Sequence, residues 1–382
     1  MPSSELNKPL MTYSDVESKR FGMRVFRGTI DEINEKQILS SIIENKVDLA
    51  ILRIPASKQY QISRLEKTGL PYIVADTLVY YSVDLTTYLP KPIRNKDLVF
   101  QNCSLEHIDS LSALVEIIFA SYTNHYTSNP YLKREDIIDG YKEWACAYIA
   151  EDNNKRFTWV VKKGQGVVGF ATCGCDKKIG EGVLYGVLPS ASGNGIYSDI
   201  IRFTQQYLKD IGCCQMIVST QIQNFSVQKV WNREGFTLKD AYITLHINSF
   251  MNLSKEKVTI IDNLTISSED IERWGKISGD TNIVHYDDDY ARQLGLNKRI
   301  AHGLISNSLI SKYIGTVFPG HGTLFLGYSY QFLRPLYVND NYKVLISFPY
   351  IDEIRGIYKS LIKIIDYENN LCLFSYSDLY KK

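Results

Sequence analysis

The chain has 382 residues, 45% hydrophobic and 22% charged, which is enough to build two or three cored domains and too apolar for extended disorder. Its 43 Lys and Arg nearly balance 42 Asp and Glu, and no block of like charges forms an arm for nucleic acid or acidic lipid, so neither is an expected partner. Met1-Pro2-Ser3-Ser4-Glu5 lacks the basic-then-apolar pattern of a signal, and no run approaches the roughly 18 apolar residues of a membrane helix. A cytoplasmic chain without a membrane partner is expected. The seven cysteines, odd in number and scattered through apolar surroundings, suit a reducing compartment. Cys173-Gly174-Cys175 has no second Cys/His pair at zinc-site spacing, so strand alternation explains it and no metal is expected.

In chain order, a helical segment carrying Ile38, Ile42 and Ile43 leads to the strand Leu49–Leu52. A helix through Ile62 and Leu65 follows, ending at Gly69, and then the strand Pro71–Val74. The order returns from Ile200: a helix Ile201–Leu208, a strand Met216–Val218, a helix through Val227, Val230 and Trp231 ending at Gly235, and a strand through Tyr242 and Leu245. Gly69 and Gly235 stand where a helix end takes a left-handed residue. The pattern predicts a duplicated half. In the first copy Lys58 and Leu65 stand at the positions of Asn224 and Trp231, so the second copy is expected to carry the chemistry.

A small junction lies near Pro90–Asp97, and a larger boundary falls at Asn248–Lys257. Beyond it come a strand Lys257–Ile266, a Ser267–Asp270 capping box, a helix Ile271–Ile277, and a helix from Gly303 to about Phe318. Three or four long strands follow, at Thr323–Phe332, Tyr342–Tyr350, Tyr358–Asp366 and Leu371–Tyr380. This order predicts a long helix wrapped by an antiparallel sheet.

Ser192-Gly193-Asn194-Gly195-Ile196-Tyr197 joins a strand to a helix. Backbone amides in such a turn, at a helix N-terminus, converge on an anion such as a pyrophosphate, although a Gly-x-Gly turn also serves merely to reverse the chain. With Asn224, Trp231 and Gly235-Phe236 following in order, the region resembles the GNAT superfamily of acyl-CoA-dependent N-acyltransferases. The N-terminal half-domain and Phe119–Trp144 look like the TDP-fucosamine acetyltransferase group, over roughly residues 15–248. The resemblance implies that amides of Gly193, Asn194, Gly195 and Ile196 hold the CoA pyrophosphate. It implies also that the strand at Gly186–Leu188 pairs with the pantetheine arm and offers an amide to the thioester oxygen, and that Asn224 touches the pantetheine or the leaving thiolate. Ser192, Tyr197 and Trp231 depart from the family pattern. Trp231 replaces a tyrosine often used to protonate the thiolate, and an indole cannot do this. For the base, His125, in the polar aromatic-rich stretch Tyr122–Pro130, is preferred to Glu181 acting through water; its other reading is a loop-bonding histidine.

Ser278-Gly279-Asp280-Thr281-Asn282-Ile283-Val284-His285, followed by Ala301-His302-Gly303, brings an Asp/His pair across a short loop and a glycine to a helix start. Such a pair can activate water, while the helix N-terminus stabilises an enolate oxygen, which suits hydration of an α,β-unsaturated thioester. With Gly320-His321-Gly322-Thr323, Phe332-Leu333-Arg334-Pro335 and Asn339-Asp340, the block resembles the MaoC-like (R)-specific enoyl-CoA hydratases of the hotdog fold, across roughly residues 257–382. The resemblance implies Asp280 and His285 as the catalytic pair, Asn282 between them, Gly303 as thioester-oxygen donor, Ser311 bonding the catalytic Asp, and a homodimer. Ile283 replaces the usual proline.

The expected fold is α+β: a half-GNAT-like subdomain (1–95), a GNAT domain (96–250) and a hotdog domain (251–382). The expected function uses acyl-CoA as donor. The hotdog part would hydrate a short 2-enoyl-CoA, and the GNAT part would transfer the 3-hydroxyacyl group, most simply (R)-3-hydroxybutanoyl, to the amine of a nucleotide-linked (dTDP) amino-dideoxy sugar for bacterial surface polysaccharide. Two alternatives stand beside it: a sugar N-acetyltransferase with an inactive hotdog dimer scaffold, and an acyl-CoA-binding protein without turnover.

Overall fold

The computed structural model describes residues 9–149, 155–252 and 258–382; Met1–Glu5 and the end of the expected boundary, 253–257, lie outside them. The chain divides into two compact units: Met1–Asn34 with Leu49–Arg64 and Pro71–Asn248, and Glu35–Asp48 with Leu65–Leu70 and Ser249–Lys382.

In chain order the first unit holds strands β1 (Thr12–Tyr13), β2 (Val25–Thr29), β3 (Leu49–Pro55), β4 (Tyr72–Asp84), β5 (Leu98–Asn102), β6 (Arg156–Lys163), β7 (Gly166–Asp176), β8 (Ile179–Val187), β9 (Gln215–Gln221) and β10 (Thr237–Asn248). Its helices are α1 (Asp15–Phe21), α3 (Ile108–Phe119), α4 (Arg134–Cys146), α5 (Ile196–Asp210) and α6 (Phe225–Arg233); α2 (Glu35–Glu44) belongs to the second unit. The expected helix through Ile62 and Leu65 is a succession of 3-10 turns over Ala56–Thr68.

All ten strands form one sheet, ordered β1-β2-β3-β10-β4-β9-β8-β7-β6-β5. The duplicated halves exchange their last strands: β4, from the first copy, pairs antiparallel with β9 of the second, and β10 pairs antiparallel with β3 of the first. The two exchanged strands pair with each other from Thr237↔Ser82 to Ile247↔Tyr72. The expected division at 95/96 therefore falls inside a continuous sheet. Two cores cover the sheet's faces, and β6 shows the two-residue alternation that separates them. Trp159 and Val161 pack with Ile200, Ile201, Leu208 and Trp231, whereas Val160, between them, packs with Leu111, Leu114, Phe119 and Phe170.

The parallel pairing of β8 with β9 covers only Ile179–Gly182 and Gln215–Val218. Beyond that β8 runs on to Val187 without β9, whose last residues, Ser219–Gln221, remain paired with β4. A wedge opens between the two strands at the end where β8 delivers the glycine turn.

In the second unit, β11 (Val258–Thr265), α7 (Ser268–Ser278), α8 (Asp288–Gln293), α9 (Gly303–Thr316), β12 (Leu324–Phe332), β13 (Asn341–Asp352), β14 (Ile357–Ile365) and β15 (Leu371–Tyr380) follow the expected order. The sheet is antiparallel, β11-β13-β14-β15-β12. Ile305, Ile310, Tyr313 and Ile314 of α9 are buried against Val344, Ile346, Ile362, Ile364 and Leu373, so the sheet wraps the helix. Ser267 and Asp270 cap α7 reciprocally, as the sequence indicated.

Candidate functional site

Each unit carries a candidate site. In the first, Gly193 (φ 82°) and Gly195 (φ 77°) adopt the left-handed conformation that a side chain resists, and Gly195 delivers the chain into α5. The turn borders a groove of about 1000 Å³ lined also by Val187, Arg94, Asn95, Lys229 and Arg233. The amides at the start of α5 and the cationic side chains of Arg94, Lys229 and Arg233 suit the groove to an anion. Ile196 is buried in the core, so only its backbone faces the groove.

The turn is braced from below. Asp199, in the first turn of α5, accepts the amides of Arg94 (2.9 Å) and Asn95 (3.0 Å) and the Asn95 side chain (2.7 Å). Arg202 Nη1 reaches Asp199 at 3.0 Å, while its Nε and Nη2 hold Glu234 at 3.0 and 2.7 Å. Burial opposes ionisation of Asp199, but these amides and the Arg202 charge outweigh it and hold its pKa below the usual value. The Pro90–Asp97 junction is thereby pinned beside the groove. That pairing spans about a hundred residues of sequence, which is why Arg94 and Asn95 escaped local reading, as did Lys229 and Arg233 on the exposed side of a helix.

The Leu188 amide is committed to the Val168 carbonyl at 2.8 Å. Antiparallel alternation then turns the neighbouring Val187 amide toward the wedge, so within the expected Gly186–Leu188 stretch it is the Val187 amide that faces it. Asn224, three residues past β9 at the start of α6, donates to Thr220 Oγ1 at 3.0 Å. Glu181 belongs to the paired base of the wedge, opposite Ile217, six residues and roughly 20 Å along β8 from Val187 at 3.3 Å per residue. Trp231 is buried against Tyr81, with ring centroids 5.5 Å apart, and packs as core.

His125 also departs from expectation. It is 7% exposed, and its Nδ1 lies 2.8 Å from Nε2 of His246, whose Nδ1 meets Asn129 at 3.0 Å. Burial and the neighbouring His246 hold His125 well below its ordinary pKa, and burial takes His246 down to about 3. His125 is a neutral loop-bonding residue. The loop does carry Tyr122, whose hydroxyl donates to Gln221 Oε1 and lies 3.5 Å from Thr220 Oγ1, at the open end of β9.

In the second unit α7 ends at Gly279 (φ 74°), which turns the chain so that Asp280 leads the loop. Asp280 Oδ1 accepts the Asn282 amide at 3.0 Å, and Asn282 caps the turn Ile283–His285. His285 Nδ1 lies 2.9 Å from the Ile300 carbonyl, which can only accept, so Nδ1 carries a hydrogen and Nε2 faces Asp280 Oδ2 at 3.8 Å. His302 caps α9 with its Nε2 3.9 Å from the same oxygen; burial, then His285, lower its pKa and keep it neutral. Tyr286 ties the loop down by donating to the Asp280 carbonyl at 2.8 Å. A cavity of about 340 Å³ lies between His285, Gly303 and Phe332–Leu336, with the first amides of α9 at its wall.

Asp280, His285 and His302 each present a donor atom within 4.8 Å of the others, a spacing at which they could hold a metal ion. Ser311 is not brought to Asp280. It is exposed, and eight residues beyond Gly303 at 1.5 Å rise it stands about 12 Å along the helix; the serine in the first turn is Ser306, bonded to the Gly303 carbonyl at 2.7 Å. Among the described residues no helix is long and apolar enough to cross a membrane.

Residues 111–236 match the acetyltransferase (GNAT) family and residues 249–358 the MaoC like domain family. An (R)-specific enoyl-CoA hydratase of Rhodospirillum rubrum is 36% identical over 83 residues, 22% of this chain and 58% of that protein. A 3-hydroxybutyryl-CoA dehydratase of Methylorubrum extorquens is 35% identical over 22% of this chain and 52% of its own length. The chain thus spans a little over half the length of the curated relatives it matches. Among solved structures, the R-hydratase PhaJ1 of Pseudomonas aeruginosa is 29% identical, covering 32% of this chain and 78% of that one, with a TM-score of 0.30. The chain joins a GNAT acetyltransferase domain to a MaoC-like hotdog domain.

Proposed function

We propose that the chain is a bifunctional acyl-CoA enzyme: the hotdog domain hydrates a short 2-enoyl-CoA to the (R)-3-hydroxyacyl-CoA, and the GNAT domain transfers an acyl group, most simply (R)-3-hydroxybutanoyl, to the amine of a dTDP-linked amino-dideoxy sugar. The observation that carries the reading is the assembly of His285 and the Gly303 helix start around one cavity, with Asp280 3.8 Å from His285, in a chain that also holds a glycine-turn groove. A separation of 3.8 Å between Asp280 and His285 suits a water bound to both. As the water oxygen attacks C3, the pair takes its proton; the enolate charge on the thioester oxygen meets the Gly303 amide and the positive end of α9, and the proton returns to C2.

In the GNAT groove, the cations and the turn suit the phosphates of CoA, and the wedge suits the pantetheine arm, with the Val187 amide directed at the thioester oxygen. The fucosamine-acetyltransferase likeness supports a sugar acceptor, and a cytoplasmic location follows from where nucleotide sugars are made. Edge strand β12 exposes Leu324, Leu326, Tyr328 and Phe332, which supports a homodimer through that edge. The same feature favours the second reading, an N-acetyltransferase whose hotdog only dimerises.

The test is mass spectrometry of crotonyl-CoA incubated with the full chain and with Asp280→Asn and His285→Ala. Addition of one water by the wild type, lost about a hundredfold or more in both variants, supports the hydratase. No addition by the wild type reduces the domain to a scaffold. A chain that acylates the amino sugar much faster from acetyl-CoA than from 3-hydroxybutanoyl-CoA defeats the coupling of the two steps.

A further inference from the structure

Strand exchange places an acidic side chain of the first half beside the chemistry of the second. Thr244 of β10 stands opposite Arg53 on one side and Asp76 on the other, so Arg53, Thr244 and Asp76 form a row across three strands on one face. A bulge at Asp76 separates it from the regular register, Thr244↔Asp76 being followed by Leu245↔Val74. Both Asp76 carboxylate oxygens are buried, and neither accepts a hydrogen bond of ordinary geometry. Arg53, the cation in the row, points Nη1 at Tyr80 (3.3 Å), and its Nε is buried without a partner.

The groups around Asp76 come from every element packed there. They are Arg53 of β3, Thr244 of β10, Gln221 of β9, and the His125 backbone with Tyr122 of the covering loop. Tyr141 of α4 feels the Asp76 charge, and His125 and His246 beside it are neutral. Burial, only partly offset by Thr244, Arg53, Gln221 and the His125 backbone, raises the carboxyl above the usual range. Gln221, beside the carboxylate, accepts from the hydroxyl of Tyr122, and Thr220 links that hydroxyl to Asn224, three residues past β9. A desolvated carboxylate without hydrogen bonds of ordinary geometry, on the strand beside the open end of β9, is completed by a cation that carries its own proton donors.

Resting on the transferase reading above, we infer that Asp76 receives the acceptor's primary ammonium and acts as the general base of N-acylation. The ammonium first yields one proton to solvent; as the neutral amine nitrogen bonds to the thioester carbon, its second proton passes to the carboxylate. The tetrahedral adduct collapses with cleavage of the C–S bond, the departing CoA thiolate is protonated from solvent, and Asp76 returns its proton to solvent, completing amide and free thiol. The base is thus donated by a strand of the half that has no glycine turn.

The experiment follows free-thiol release from acetyl-CoA and 3-hydroxybutanoyl-CoA by the full chain. The nucleophiles are dTDP-linked amino-dideoxy sugars and, separately, hydroxylamine, read from pH 5 to 9 for wild type, Asp76→Asn and Asp76→Glu, with CoA affinity measured beside it. The expected result for Asp76→Asn is a loss of about a hundredfold or more in kcat, CoA affinity within about twofold, and loss of the acidic limb of the rate profile; Asp76→Glu restores that limb. Because an acid folded in this way titrates high, the wild-type limb lies above the ordinary Asp value of about 4, with rate rising as pH rises through it. An Asp76→Asn chain that keeps more than a tenth of the rate with an unchanged limb overturns the assignment. If Asp76→Asn does not fold, a wild-type limb at the ordinary Asp value does so instead. A wild type that works with hydroxylamine and no sugar defeats only the sugar reading; one that releases no thiol with any amine defeats the transferase and this base together.

Discussion

Removing the guanidinium of Arg202 tests whether the brace beneath the glycine turn is structural. The side chains of Arg202, Asp199 and Glu234 are 4%, 0% and 2% exposed, so Arg202→Met leaves two carboxylates in the interior without their shared cation. The two are not equally bereft. Asp199 keeps the amides of Arg94 and Asn95 and the Asn95 side chain, whereas Glu234 keeps only Lys91, at 4.0 Å, as an ion-pair partner. Orphaning a buried charge costs about 3–5 kcal/mol; with Asp199 largely supported, the lower end, about 3 kcal/mol, is expected. For a unit of this size that lowers the melting transition by about 6–12 °C. Urea and thermal melts of the full chain measure it, with Glu234→Gln alone and combined with Arg202→Met completing a double-mutant cycle. In the Glu234→Gln background Arg202→Met is expected to cost at least about 1 kcal/mol less, because the residue left behind is then neutral. A loss below about 1 kcal/mol in the single variant, or strict additivity in the cycle, refutes the reasoning.

Two further outcomes follow from neighbouring features. In Gly275→Ala, a Cβ would stand 2.0 Å from the Tyr286 hydroxyl, so the usual helix gain of about 1 kcal/mol is replaced by a collision that frees the Asp280 loop; crotonyl-CoA hydration is expected to fall at least about tenfold, and adding Tyr286→Phe should recover thermal stability but not the full rate. Lys229→Ala with Arg233→Ala removes two of the groove's cations, and calorimetry should record at least about tenfold weaker CoA binding at low salt, with the gap to wild type narrowing as salt rises.

Local signals made the second unit legible. Its capping box and alternating strands are each written within a dozen residues, and the Asp280 loop closes on itself through Asn282 and Tyr286. Ser311 was misleading because its place depends on which turn of a long helix faces the loop. In the first unit the repeat was legible, but strand partners were not. β4 and β10 are both alternating strands, and nothing in their own residues names the neighbour that accepts them. His125 was misread for the same reason, since the group that neutralises its role, His246, lies 121 residues further on and reaches it only through the exchanged β10. Asp76, on an unremarkable stretch of strand, acquired its setting from that exchange as well.

The crossed strands also change what counts as a removable part. A version of this protein beginning at residue 96 would leave β9 without β4 and β10 without both of its neighbours, baring hydrogen-bonding edges in the middle of the sheet. The first copy, which has no glycine turn of its own, is therefore no appendage awaiting loss. Each copy holds the other's fold hostage, so the half without a glycine turn persists under the same selection as the half that carries it.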